Sequence, residues 1–288
     1  MAQTQNLKRR IRSVKNAGQI TKALEVVAAS RMRKVVGLVE GSRKYGELAS
    51  EIMQRIAPNP EVKDLPYFTQ ISLDKPALYI IFTSDRGQAG AYNTNIFNLA
   101  ISMVKLEKQR PKIIVYGRKG ERFFARLAGI ELMAAFEDIA DIPEANVFSP
   151  ALEIINDGLS SGEIGKVRII HTEFISSLTQ KASSYQLIPV QIQETELPEG
   201  SNKVFEFEPE TQEVLDESLR LYFEAKLMQS RIEAAAAEHA MRMIAMGNAN
   251  RNAKDLVEGL TLELNATRQA AITQEIAEIT GGAAAIAA

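Results

Sequence analysis

The chain has 288 residues, 45% of them hydrophobic and 24% charged, with a formal net charge of −2. Those are the proportions of an ordinary soluble globular protein, and the near-neutral balance argues against a dedicated nucleic-acid binder. No apolar run approaches the ~18 residues of a membrane span, and the lack of cysteine excludes disulfides, a thiol nucleophile and a Cys-based zinc site.

The first residues, MAQTQNLKRRIRSVKN, are basic, and the first acidic residue is Glu25. Such a start resembles an organelle transit peptide, yet a helical pattern already begins at Leu7 and leaves nothing spare to cleave. Leu7, Ile11, Val14, Thr21, Leu24, Ala28, Val35 and Leu38 fall near a seven-residue repeat in steps of three and four, the seam of a left-handed coiled coil. The basic run at 7–15 could meet nucleic acid or anionic lipid. Its apolar seam, and the absence of any aromatic residue before Tyr45, favour a charged helix face turned toward an acidic protein partner.

Every proline lies between Pro58 and Pro209, and 15 of the Phe and Tyr residues lie in the same stretch. The sequence therefore predicts a folded middle between two long helices. In the middle, 77–84 reads as a buried strand, 94–109 as helix, 112–117 as strand and 118–128 as helix. A helix near 150–160 then precedes two strand-like runs at 166–175 and 183–192. That alternation predicts an α/β domain with a largely parallel sheet.

The second helix opens at Pro209 with Glu210 and Glu213 in its first turn. Leu256, Leu260, Leu264 and Ala271, then Ile272, Ile276 and Ile279, continue a heptad-like pattern. Both helices leave one domain, so they are expected to pair antiparallel, with residue 3 facing about residue 264. The last ~24 residues, about 35 Å of helix, then overhang their partner. Their final turns are small and apolar on every side, and such a helix should be buried. Its own chain cannot reach it, so another protein must. Charge supports the pairing, since residues 1–57 carry a net +8 and residues 209–288 a net −5.

Chemistry is hard to find. The loops SDRGQAG (84–90) and GRKG (117–120) each follow a strand and precede a helix, where α/β proteins bind phosphates. Neither completes a dinucleotide fingerprint or a P-loop. His171 and His239 have no partner at metal-ligand or triad spacing. Glu275 and Glu278, one turn apart, could in principle hold a metal, but such a pair on a polar helix face more often meets solvent or a partner's charge. No active site and no cofactor are predicted.

Three segments, ITKALEVVAASRMRK (20–34), TSDRGQAGAYN (83–93) and RQAAITQEIAEITGGAAA (268–285), resemble the γ-subunit family of F-type ATP synthases. The likeness runs along essentially the whole chain. It implies an α/β fold class: a long antiparallel coiled coil from helices at 1–57 and 209–288, plus a central Rossmann-like domain at 58–208. It further implies a rotor shaft inside a hexameric ring of α and β subunits, with the ε subunit and the membrane c-ring as further partners, and chemistry left to β. By position, Arg268, Gln269 and Thr273 resemble the polar contacts to β catch loops, with Glu275 and Glu278 on the same turns. Leu24, flanked by Lys22, Arg31 and Arg33, resembles the region that meets the acidic lever of β. Glu208, with Phe205 and Phe207 beside it, matches the foot on the c-ring. Phe205 stands where some members have Tyr, and Leu24 where Met is common. The regulatory insert of plant and cyanobacterial members is missing, which points to a bacterial type at the cytoplasmic face of the plasma membrane. A nucleotide-dependent α/β enzyme with helical extensions, and a helical nucleic-acid binder, are the competing readings.

Overall fold

The computed structural model describes residues 2–57, 59, 62, 65, 67–68, 75–190 and 211–287, and side-chain surroundings for all of these except 2–3, 145, 211–212 and 282–287. They group into two compact units, Met1–Ala28 with Arg242–Ala288, and Ala29–Met241. Two helices contribute to both, α1 (Ala2–Ile56) and α5 (Thr211–Ala287).

The larger unit is built on a five-stranded sheet of β1 (Ala77–Phe82), β2 (Lys112–Tyr116), β3 (Glu131–Phe136), β4 (Lys166–Phe174) and β5 (Gln180–Ile188). Its spatial order is β3-β2-β1-β4-β5. Pairings β1–β2, β1–β4 and β2–β3 are parallel, and β4–β5 is an antiparallel hairpin. Between the strands run α2 (Tyr92–Val104), α3 (Arg118–Phe124) and α4 (Ser149–Ser160). β1 and β2 are buried at every position, which explains their unbroken apolar runs, the pattern of a parallel sheet covered on both faces.

Alternate β1 residues feed two cores. Leu78, Ile80 and Phe82 pack with α4 and with Leu215, Leu219 and Phe223 of α5. Tyr79 and Ile81 pack with α2, with Phe124 of α3, with Val35 and Val39 of α1, and with Ile232, Ala235 and Ala236 of α5. The outer helices are thus part of the domain core. From Ser230 to Ala240 every α5 residue is buried.

Sequence and structure differ at several points. α2 ends at Val104 and α3 at Phe124, short of the expected 109 and 128, and β5 runs Gln180–Ile188 against an expected 183–192. The strand β3 has no counterpart in the sequence reading. It is a half-exposed edge strand, Glu-Leu-Met-Ala-Ala-Phe, and Glu and Ala are poor strand formers. In α1 the seam shifts by one residue past Ala28: Leu38 is 41% exposed and Val39 is buried, because here the helix packs on the sheet domain as well as on α5. In α5, Leu256 is 49% exposed, while Ala253, Val257 and Leu260 face inward.

In the smaller unit the helices run antiparallel. Gly18 lies against Ala253 and Asn250, and Glu25 against Gly247. A Cβ on Gly18 would stand 3.3 Å from that of Ala253, so a glycine here lets the backbones approach closely. Counting from that contact sets residue 3 opposite roughly residue 268, about one turn beyond the expected position. The last ~19 residues of α5, about 28 Å, therefore overhang α1.

Candidate partner-binding site

The phosphate-site alternative is tested by the two strand-to-helix loops. A phosphate there would need free backbone N–H donors at 118–120. Arg118 N instead donates to Asp85 Oδ1 (3.0 Å), Lys119 N to Ser84 O (3.0 Å) and Gly120 N to Thr83 Oγ1 (3.0 Å). Asn93 closes the first loop, accepting from Ser84 N at 3.1 Å and donating to Ser84 Oγ at 2.7 Å. Gly117, at φ 110°, adopts a conformation that suits glycine, and a Cβ there would lie 2.3 Å from Thr83 O. These glycines let two loops interlock, and the donors a phosphate would use are taken.

The histidines are structural in their surroundings. His171 is buried in β4 against the edge of the Tyr185 ring, at 5.7 Å. Burial pushes it down to about 4, and the charge of Arg43 adds to that against the opposing pull of Glu233. His239 Nε2 lies 2.8 Å from Asp141 Oδ2. Burial works to raise the Asp141 carboxyl, but His239, Arg231 and Arg31 outweigh it and hold it below its ordinary value. Among the described residues no group of His, Asp or Glu is arranged to hold a metal ion.

A run of exposed large apolar residues marks the end of α5 in the smaller unit. Ile272, Ile276 and Ile279 are 45%, 56% and 71% exposed. Arg268, Gln269, Thr273, Glu275 and Glu278 are exposed on the same turns. Their hydrogen bonds are local: Thr273 Oγ1 donates to Gln269 O at 3.0 Å and Gln274 Nε2 to Glu278 at 2.9 Å. On α1, Lys22 pairs with Glu25 at 3.0 Å and Leu24 is half-buried. Arg31 and Arg33, in the larger unit, are exposed. The expected foot residues Phe205, Phe207 and Glu208 lie outside the described residues.

The family model described as ATP synthase matches residues 3–286. Similar curated proteins are the ATP synthase gamma chains of Desulforamulus reducens, 38% identical, and Desulfitobacterium hafniense, 37% identical. Each match covers 99% of this chain and 100% of the relative. The chain belongs to the ATP synthase gamma-chain family. Its fold is also that of chains in solved ATP synthase structures. Against the Euglena gracilis mitochondrial ATP synthase in an OSCP/F1/c-ring assembly, the TM-score is 0.70 at 18% identity, over 99% of this chain and 95% of that one. A Tetrahymena thermophila central stalk/c-ring structure gives 0.59 at 20% identity, over 80% and 99%.

Within that family frame, the structure adds residues that the sequence reading passed over. Ile20, Val26 and Val27 of α1 are 61%, 55% and 51% exposed beside Lys22. Ile20 and Val27 are seven apart, so they share a helix face. The available signal was apolar residues at heptad spacing off the main seam, which the search for a single seam overlooked.

Proposed function

We propose that this chain is the central rotor shaft of an F-type ATP synthase, coupling ion-driven c-ring rotation to ATP synthesis or hydrolysis on other subunits. The observation that carries the reading is the uncovered end of α5, with Ile272, Ile276 and Ile279 exposed, in a chain matched end to end by gamma chains. An apolar sleeve in a hexameric ring of α and β subunits would bury that end. Small side chains with few ridges would let it turn against low barriers.

In this reading the shaft has no active site. Arg268, Gln269, Thr273, Glu275 and Glu278 meet β near the sleeve, and Leu24 with Lys22, Arg31 and Arg33 faces an acidic lever of β. Phe205, Phe207 and Glu208 serve as the foot on the c-ring, beside the ε subunit. The pair of helices is asymmetric in cross-section, so each β subunit meets a different face at each angle. Such contacts shift β between open and closed forms only through differential affinity. No helix among the described residues is long and apolar enough to cross a membrane, and the proposed location is peripheral, on the cytoplasmic face of the bacterial plasma membrane.

The test is the native mass of the complex that co-purifies with the tagged chain from its own cell. One copy with three α and three β subunits is expected. A free monomer or a homodimer under gentle conditions would overturn the reading.

A further inference from the structure

A rotor that is a folded domain built around two helices has to pass torque from the domain to the helices without the helices turning inside it. Apolar burial is non-directional and offers little resistance to such slip where side chains are small. α5 carries small side chains where it is deeply held: Ala234, Ala235, Ala236 and Ala237 are all fully buried. Resistance to twist in this stretch has to come from directional bonds.

Those bonds are present, and they face opposite ways. Toward the β4–β5 hairpin, Tyr185 Oη donates to Lys226 O at 3.0 Å and shares a hydrogen bond with Ser230 Oγ at 2.7 Å. Glu233, its side chain 2% exposed, accepts from Arg43 Nε at 3.0 Å, Arg43 Nη2 at 2.8 Å, Gln229 Nε2 at 3.1 Å and Phe174 N at 3.3 Å. Arg43 Nη2 also donates to Phe174 O at 2.7 Å. Toward the segment after β3, Arg231 donates to Ile139 O at 2.8 Å and Ala140 O at 3.1 Å, and lies 3.4 Å from Asp141. His239 reaches Asp141 as well, at 2.8 Å.

At about 100° per residue, 226, 230 and 233 share one face of α5, while 231 and 239 lie on roughly the opposite face. On the first face the partners are Tyr185 of edge strand β5, Phe174 at the end of β4 and Arg43 of α1; on the other they are Ile139, Ala140 and Asp141, which follow β3, the opposite edge of the sheet. The helix is therefore gripped from both sides of its axis, the arrangement that opposes a couple. A buried ion pair is weak evidence for stability, because desolvation offsets the attraction, but it does fix orientation.

We infer that Lys226–His239 is the torsional joint between the sheet domain and the shaft, with Arg231 and Glu233 as the positioning residues that stop α5 from turning within the domain. The inference rests on the rotor reading above and adds where the torque crosses.

The experiment uses the chain assembled with its α and β partners, the ring held on a surface and a bead on the sheet domain through Leu106→Cys. The native chain has no cysteine, and Leu106 is 83% exposed. At an ATP-waiting pause, the variance of the bead angle reports torsional compliance. Arg231→Met with Glu233→Gln is expected to raise that variance at least twofold, and each single change to raise it less. Arg231→Lys, which keeps a donor, recovers part of the stiffness. Ile113→Val in β2 lowers the melting temperature but leaves every polar tie in place, and keeps the wild-type variance. Should the double variant not assemble, the two single variants decide by the same readout. Wild-type variance in the Arg231 and Glu233 variants overturns the joint, as does an equal rise in Ile113→Val. A wild-type bead that never turns with ATP overturns the rotor reading instead.

Discussion

Two stretches of the same helix meet opposite fates. Between Ser230 and Ala240 every residue of α5 is buried by its own chain, whereas from Ile272 to Gly281 every residue is exposed. Each carries two glutamates, and the stretch with the larger apolar side chains, Ile272, Ile276 and Ile279, is the one left exposed. What separates them is company: the first has a domain built around it, the second extends past the end of α1. Small side chains allow close packing in the first, and the small residues that follow Ile279 would allow easy turning in the proposed sleeve.

Enlarging an alanine in each stretch breaks the comparison most directly. Ala236→Leu forces extra volume into a filled core and is expected to cost up to about 3 kcal/mol in thermal unfolding of the chain. Ala277→Leu should leave that unfolding unchanged within about 0.5 kcal/mol, yet slow ATP-driven rotation of the assembled complex. Equal destabilisation by the two would mean the tail is packed in the free chain.

Acid gives the next largest effect, and its source in the larger unit is the buried His171. His171 is held neutral in the fold, so the unfolded chain takes up its proton first. That contribution is complete above the ordinary histidine value of about 6.5 and is lost as pH falls toward about 4. The loss sums to ~3 kcal/mol at most. His171→Leu should flatten the pH dependence of unfolding in that window, and an unchanged slope would show that His171 is not its source.

Smaller still for the fold is Arg268→Ala with Gln269→Ala. Both residues lie exposed near the overhang boundary, where they can serve a partner more than the seam. The melting temperature should stay put while ATP-driven ion pumping falls severalfold, and unchanged pumping would remove them from the contact set. Smallest of all is Glu40→Ala, which breaks only the exposed pair with Lys44 at 2.9 Å. Neither stability nor rotation should change measurably.

The fold was legible where burial is uniform or periodic. β1 and β2 stand out as apolar runs because they are covered on both faces, and Leu7, Ala28 and Leu260 emerge because a coiled-coil seam repeats. β3 was not legible, since a half-exposed edge lacks both signals. The seam slips at Leu38 and Leu256 trace to a change of neighbour and to a choice among adjacent apolar residues, Leu256 or Val257. The candidate contacts were legible only through resemblance. Arg268 and Glu278 carry no chemistry of their own, and the surface that would give them meaning belongs to another chain. The polar grip at Arg231 and Glu233 left no trace in spacing because its partners outside α5 are 59 to 190 residues away.

The opposed ties along α5 also bear on what the chain can tolerate as it diverges. A residue inserted or lost between Lys226 and His239 would swing every later tie by about 100° and strand either Arg231 or Glu233 as an unpaired buried charge. The tip of the β4–β5 hairpin, at Ser176–Thr179, has no such phase to keep, with Leu178 80% exposed. Length variation should therefore collect at the hairpin tip, while the gripped stretch of α5 changes by substitution alone.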